Sequence, residues 1–77
     1  MLTERILTTL KKARLVNMPE NENKNLFHLG IDSLVLALWI LELEREFKIK
    51  IPLVPIQKNR FETLDSVHHY LIELGAQ

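Results

Sequence analysis

From Ser33 to Phe47 the chain reads "SLVLALWILELEREF", a run with no glycine or proline whose first half is apolar and whose charges, Glu42, Glu44, Arg45 and Glu46, all fall in its second half. This segment reads as a long helix with little freedom to be anything else. It does not reach the roughly 18 consecutive apolar residues of a membrane span, so it has to be packed against protein. At 77 residues, folding buries only about 60–65% of the surface that the unfolded chain exposes, so the core available to receive this helix is small. Domains of that size are held together by disulfides, a metal, a partner or well-packed helices. The chain has no cysteine, which removes disulfides and thiolate metal sites, and packed helices remain.

Ten basic and ten acidic residues cancel. The basic field that holds a nucleic-acid backbone or an anionic membrane is therefore missing, and neither is an expected partner. The N-terminal "MLTERILTTLKKARL" places Glu4 and Arg5 where a signal peptide needs its apolar centre. The expectation is a cytoplasmic protein forming one domain over residues 1–77.

Leu2, Ile6, Leu10 and Ala13 recur at helical spacing while Glu4, Arg5, Lys11, Lys12 and Arg14 fall mostly elsewhere, which predicts an amphipathic first helix, capped by Thr3 and ending near Val16 and Asn17. "NMPENENKN" has no apolar period and contains Pro19, so a long solvated loop follows. Leu26, Phe27 and Leu29 should tuck that loop against the bundle. Asp32 or Ser33 is the natural N-cap of the central helix. "KIKIPLVPI" alternates like a strand, but Pro52 and Pro55 each remove a ladder donor and no partner strand is evident, which predicts an extended connector. A short helical turn fits between Pro55 and Arg60. Thr63 and Asp65 open a last helix with the stripe Leu64, Val67, Leu71 and Leu74, ended by Gly75. The fold expected is an all-α bundle of three to four helices.

Ser33 stands at the head of the most apolar helix. A serine there is ordinarily a cap. Its neighbours add more: Gly30 permits a tight turn, Asp32 places a carboxylate beside the hydroxyl, and a helix N-terminus offers free amides and the positive end of a dipole. Such surroundings suit a hydroxyl that becomes a phosphodiester.

"LGIDSL", the long apolar helix ending in "EREFKIKIP", and the final helix resemble the acyl carrier protein family and its peptidyl carrier relatives, whose signature is a D-S-L triplet at the start of the second helix. The resemblance covers nearly the whole chain, in the family's order and at its length. It implies an acyl-carrier-like bundle in which Ser33 carries 4'-phosphopantetheine, transferred from coenzyme A by a phosphopantetheinyl transferase with Mg²⁺. Asp32 and Leu34 would form the recognition context, with Leu34 a core or anchoring residue. The arm would bring the thiol that this cysteine-free chain lacks. It also implies a non-catalytic, monomeric carrier. An acyl- or aminoacyl-activating ligase would load its thiol, and condensing or modifying enzymes would take the cargo.

The chain departs from fatty-acid carriers, which place carboxylates along the exposed face of the second helix; here "VLALWIL" follows Leu34. With Leu34, Ala37, Ile40, Leu43 and Phe47 assigned to the core, Val35, Leu38 and Leu41 point partly outward and Leu36 and Trp39 lie on the flanks. Val35, Leu36 and Leu38 then form a candidate apolar docking patch, or are ordinary core covered by the rest of the chain. Lys58, Asn59, Arg60 and Phe61 before the last helix are more similar to stand-alone carriers of polyketide and nonribosomal peptide assembly, with fatty-acid synthesis as the alternative. A different class also stands open: a helical interaction module in which Ser33 only caps and the apolar face binds a partner. His68 and His69 diverge by about 100° on a helix and do not share a metal readily. Ser33 with His28 lacks the oxyanion hole of a hydrolase, and Trp39 reads as a packing residue.

Overall fold

The computed structural model describes residues 2–76. Its elements are α1 (Leu2–Lys12), α2 (Ser33–Phe47) and α3 (Leu64–Glu73), with a 3-10 turn at Leu26–Leu29 between the first two and another at Lys58–Phe61 before the third. The described residues form no strand. The bundle is therefore all-α, and the KIKIPLVPI segment is the extended connector its prolines require. α1 packs on both α2 and α3.

Ile6 and Leu10 on α1 and Ala13 just beyond its end are buried as their spacing predicts, while the side chain of Leu2 lies outside the described residues. α1 is shorter than expected. The helix ends at Lys12, with one last bond from the Ala13 amide to the Thr9 carbonyl at 2.9 Å, because Arg14 takes a left-handed conformation with φ 72°. Thr3 falls inside the first turn and does not cap.

α2 has the predicted ends but a different rotation. Leu36, Trp39, Ile40, Leu43 and Phe47 are its buried residues, whereas Leu34, at 68% exposure, and Ala37 face out. Leu41 is also exposed, and Val35 and Leu38 are half-buried against the core. The physical reason is Trp39. A tryptophan buries some 150–250 Å² and its N–H needs a partner when it does so. Trp39 is fully buried, and its indole N–H donates to Thr9 Oγ1 across α1 at 2.9 Å. Thr9 Oγ1 in turn donates to the carbonyl of Ile6 at 2.6 Å, so Thr9, the one buried residue of polar type among the described residues, is satisfied on both sides. Trp39 meets Phe61 edge to face with ring centroids 5.7 Å apart, and Phe61 meets Tyr70 in the same way at 5.7 Å. This aromatic row joins α1, α2, the second 3-10 turn and α3.

The periphery is clamped by charge. Arg5 Nε donates to Glu46 Oε2 at 2.9 Å, and the Arg5 guanidinium lies 4.4 Å from the centroid of the Phe47 ring. Glu44 accepts from the amide of buried Ile51 at 2.8 Å, which fixes where the connector leaves α2. Arg60 pairs with Glu73 and covers the Tyr70 ring. α3 opens with a reciprocal capping box between Thr63 and Ser66 and buries Leu64, Val67, Tyr70 and Leu71, with Leu74 half-buried and Gly75 at φ 95° beyond its end.

Replacing Thr9 by Val strands a buried indole N–H and is expected to cost about 1–3 kcal/mol, read as a lower urea midpoint by Trp39 fluorescence. Thr9→Ser keeps the oxygen and should lose clearly less; equal losses would assign the effect to the threonine methyl.

Candidate functional site

The approach to α2 is built in three steps. The first 3-10 turn is capped by Asn25, whose side chain accepts from the Phe27 amide at 2.9 Å. It closes at Gly30, which stands at φ 110°, a conformation that costs an L residue roughly 1–2 kcal/mol. Ile31 then enters the core, and Asp32, extended at φ −107° and ψ −172°, caps α2 by accepting the Val35 amide at 2.9 Å.

Of the two capping candidates, the structure gives the cap to Asp32. Ser33 is the first helical residue, is exposed, and its hydroxyl makes no hydrogen bond within the described residues. The chain has one other serine, Ser66. That hydroxyl is fully engaged: it accepts from the Thr63 amide at 3.1 Å and lies 2.9 Å from the Arg60 carbonyl, to which it donates. Ser33 is thus the serine whose oxygen is open to chemistry, and the amides of Ser33 and Leu34 next to it lack intrahelical partners by position.

Ser33 opens onto a surface groove of about 560 Å³ lined by Asn25, Phe27, Ile31, Asp32, Ser33, Leu36, Lys58 and Glu62. Its two walls come from the two 3-10 turns. They are tied together by the Leu26 amide, which donates to the Glu62 carbonyl at 2.6 Å, and by the Asp65 amide, which donates to the Glu22 carbonyl at 3.1 Å. The loop before α2 is therefore held against the segment before α3, and the groove is the seam between them. Sequence reasoning placed Lys58 ahead of the last helix without bringing it near Ser33, and missed Asn25 and Glu62. Nothing in the linear order pairs residues this far apart.

The other candidates separate. Leu34, expected in the core, projects into solvent one position after Ser33. Leu36, expected on the flank and in the docking patch, is 3% exposed and contributes to core and groove floor, so the patch with Val35 and Leu38 loses its middle member and gains exposed Leu34 and Leu41. His28 sits exposed in the first 3-10 turn, and His68 and His69 lie on α3 with ring centroids 5.9 Å apart. Among the described residues no three His, Asp or Glu side chains gather as metal ligands, and no helix is long and apolar enough to cross a membrane.

A free hydroxyl at a helix head, an acid that caps behind it and a recess with both charged and apolar walls suit the attachment of a flexible arm. The model of the phosphopantetheine attachment site family matches residues 4–71, and the chain belongs to that family. No curated protein and no solved structure matches it. It is a carrier protein of the acyl and peptidyl carrier type, with 4'-phosphopantetheine as its covalently attached cofactor. Such a carrier works with a phosphopantetheinyl transferase and with biosynthetic enzymes.

The cap and the charge of Asp32 can be separated. Asp32→Ala should cost about 0.5–2 kcal/mol in thermal or denaturant unfolding, whereas Asp32→Asn, which caps equally well, should stay near the native value. If Asn is as destabilising as Ala, the stabilisation comes from the charge and not the cap.

Proposed function

We propose that Ser33 is the attachment residue and that the chain acts as a non-catalytic carrier domain. The observation that carries this is the division of labour at the head of α2. Asp32 makes the capping bond, and the Ser33 hydroxyl is left exposed and unbonded. In the transfer, Ser33 Oγ attacks the phosphorus of coenzyme A that bears the pantetheine. An Oγ–P bond forms as the pyrophosphate P–O bond breaks, adenosine 3',5'-bisphosphate leaves, and the hydroxyl proton passes to a base of the transferase. Asp32, fixed by its own capping bond, orients Ser33 and contributes a carboxylate to the metal and coenzyme environment of that complex. The arm, once attached, supplies a thiol that holds acyl or aminoacyl groups as reactive thioesters. The tether keeps that cargo at high effective concentration near each enzyme that docks the carrier.

Partner recognition is assigned to Leu34, Val35, Leu38 and Leu41, which share one side of α2 at three- and four-residue spacings, in various degrees of exposure. An apolar face at this position, and zero net charge, favour enzymes that recognise the carrier by packing more than by acidic charge. That preference supports polyketide, nonribosomal peptide or related secondary-metabolite assembly, in the cytoplasm, over fatty-acid synthesis. The activating ligase and the condensing or modifying enzymes of such a pathway are the remaining partners.

The test is intact-protein mass after incubation with a broad-specificity phosphopantetheinyl transferase, coenzyme A and Mg²⁺. One phosphopantetheine should add to the native chain and none to Ser33→Ala, whose helical circular dichroism should be unchanged. Addition to Ser33→Ala, or none to the native chain beside a control carrier that loads, overturns the assignment. In the same assay Leu34→Glu should lower the transferase kcat/KM by about 30-fold, the loss expected at an interface hot spot of about 2 kcal/mol, with a melting temperature close to native.

A further inference from the structure

The inward side of α2 leads from Ser33 into the bundle. Leu36 comes one turn further on, shared between the floor of the groove and the core. Trp39 and Ile40 come at the next turn, Trp39 lying roughly 9 Å along the helix axis from the serine at 1.5 Å per residue. A group carried at the end of an arm on Ser33 would reach the interior along this side. The interior is full. Trp39, Thr9, Leu43 and Leu71 are 0% exposed, and Phe61 and Ile40 are 1% exposed. A void that admitted even one water molecule would leave part of its lining uncovered, so the space that these residues share between the three helices is close-packed.

The packing is also pinned in place. The Trp39 ring meets Phe61 edge to face with centroids 5.7 Å apart, and Phe61 meets Tyr70 at the same distance. Rings at that separation are in contact and leave no room for a methylene between them. The indole N–H donates to Thr9 Oγ1, which itself donates to the Ile6 carbonyl. Swinging the indole aside to admit a chain would strand that buried donor, which is costly in an interior without water.

We propose that Trp39 determines the class of cargo: it bars the bundle interior to the acyl group, and the chain carries short or polar groups, such as small acyl, hydroxyacyl or aminoacyl units, in preference to long aliphatic ones. This rests on Ser33 being the attachment residue. A short or polar group is stable in water beside the protein. A long chain is not, because each methylene left in water favours transfer to any apolar site by about fourfold. With the interior closed, the apolar sites open to such a chain lie on the surface or on other molecules, and the carrier gives it no shelter of its own.

The experiment loads the native chain from acetyl-, 3-hydroxybutyryl- and octanoyl-coenzyme A with a phosphopantetheinyl transferase, and fragment mass first establishes that the arm is on Ser33. The three loaded forms should melt at the same temperature, and the Trp39 indole N–H and the amides of Ile40, Leu43, Phe61 and Leu71 should keep the same NMR shifts in all three. Trp39→Leu empties part of the interior, and a dry apolar cavity takes up apolar ligands. In that variant octanoyl, but not acetyl, should raise the melting temperature by about 4–8 °C and move the same core amides. Phe61→Leu vacates the other half of the ring contact and serves if Trp39→Leu does not fold; the native comparison needs neither. A rise of that size in the native protein, or octanoyl-dependent shifts at Trp39, Leu43 or Leu71, overturns the closed interior and leaves the attachment intact. Octanoyl-dependent shifts confined to Phe27 and Ile31, with a raised melting temperature, place the chain in the surface groove and overturn the preference for short or polar cargo. A folded Trp39→Leu that treats octanoyl like acetyl overturns Trp39 as the deciding residue. An arm located away from Ser33 overturns both this reading and the attachment.

Discussion

The buried hydrogen bond from Trp39 to Thr9 is the constraint on which the other contacts depend. A 77-residue chain without disulfides has little core to spend, and this one places its only tryptophan at full burial in the centre. That commits the indole N–H to a partner, and the Thr9 hydroxyl on the facing helix provides one without introducing charge. The rotation of α2 follows from this bond. With Trp39 turned inward, Leu36, Ile40, Leu43 and Phe47 come with it, and Leu34 and Leu41 are left outside. The outward apolar face is thus a consequence of how the inward one is anchored.

The same economy shapes the head of α2. A helix N-terminus needs a cap, and at α2 one residue supplies it while its neighbour keeps a free oxygen. Asp32 makes the capping bond, at 2.9 Å from the Val35 amide, and the Ser33 hydroxyl is left exposed and unbonded. At the head of α3 the roles are merged instead: Thr63 and Ser66 cap each other, and the Ser66 hydroxyl is consumed in structure. Two serines in one small chain therefore differ in chemical availability through hydrogen bonding and burial, Ser33 being exposed and Ser66 half-buried.

Much of this was legible in the sequence. The limits of α2, the Thr63 cap, the Gly75 end and the connector are set by short-range rules of capping, glycine and proline chemistry, and the position of Ser33 at the head of α2 beside Asp32 follows from the same rules. The phase of α2 was not legible, because a segment apolar on every side carries no periodic signal to say which side is buried; Leu34 and Ala37 were placed inward and Leu36 and Trp39 on the flanks for that reason. The length of α1 was overestimated because a left-handed Arg14 has no composition signature. The groove could not be read at all. It exists through backbone bonds from Leu26 to Glu62 and from Asp65 to Glu22, contacts between residues of unremarkable type that only the fold brings together.

The most direct check on the central claim is the location of the arm by fragmentation of the loaded protein, using the pantetheine-bearing peptide and its characteristic ejection of the arm. The account predicts a single modified peptide with the phosphodiester on Ser33 and an unmodified peptide containing Ser66. An arm on Ser66, or on a threonine, would contradict it, because the hydroxyl identified as free would then not be the one the cofactor uses.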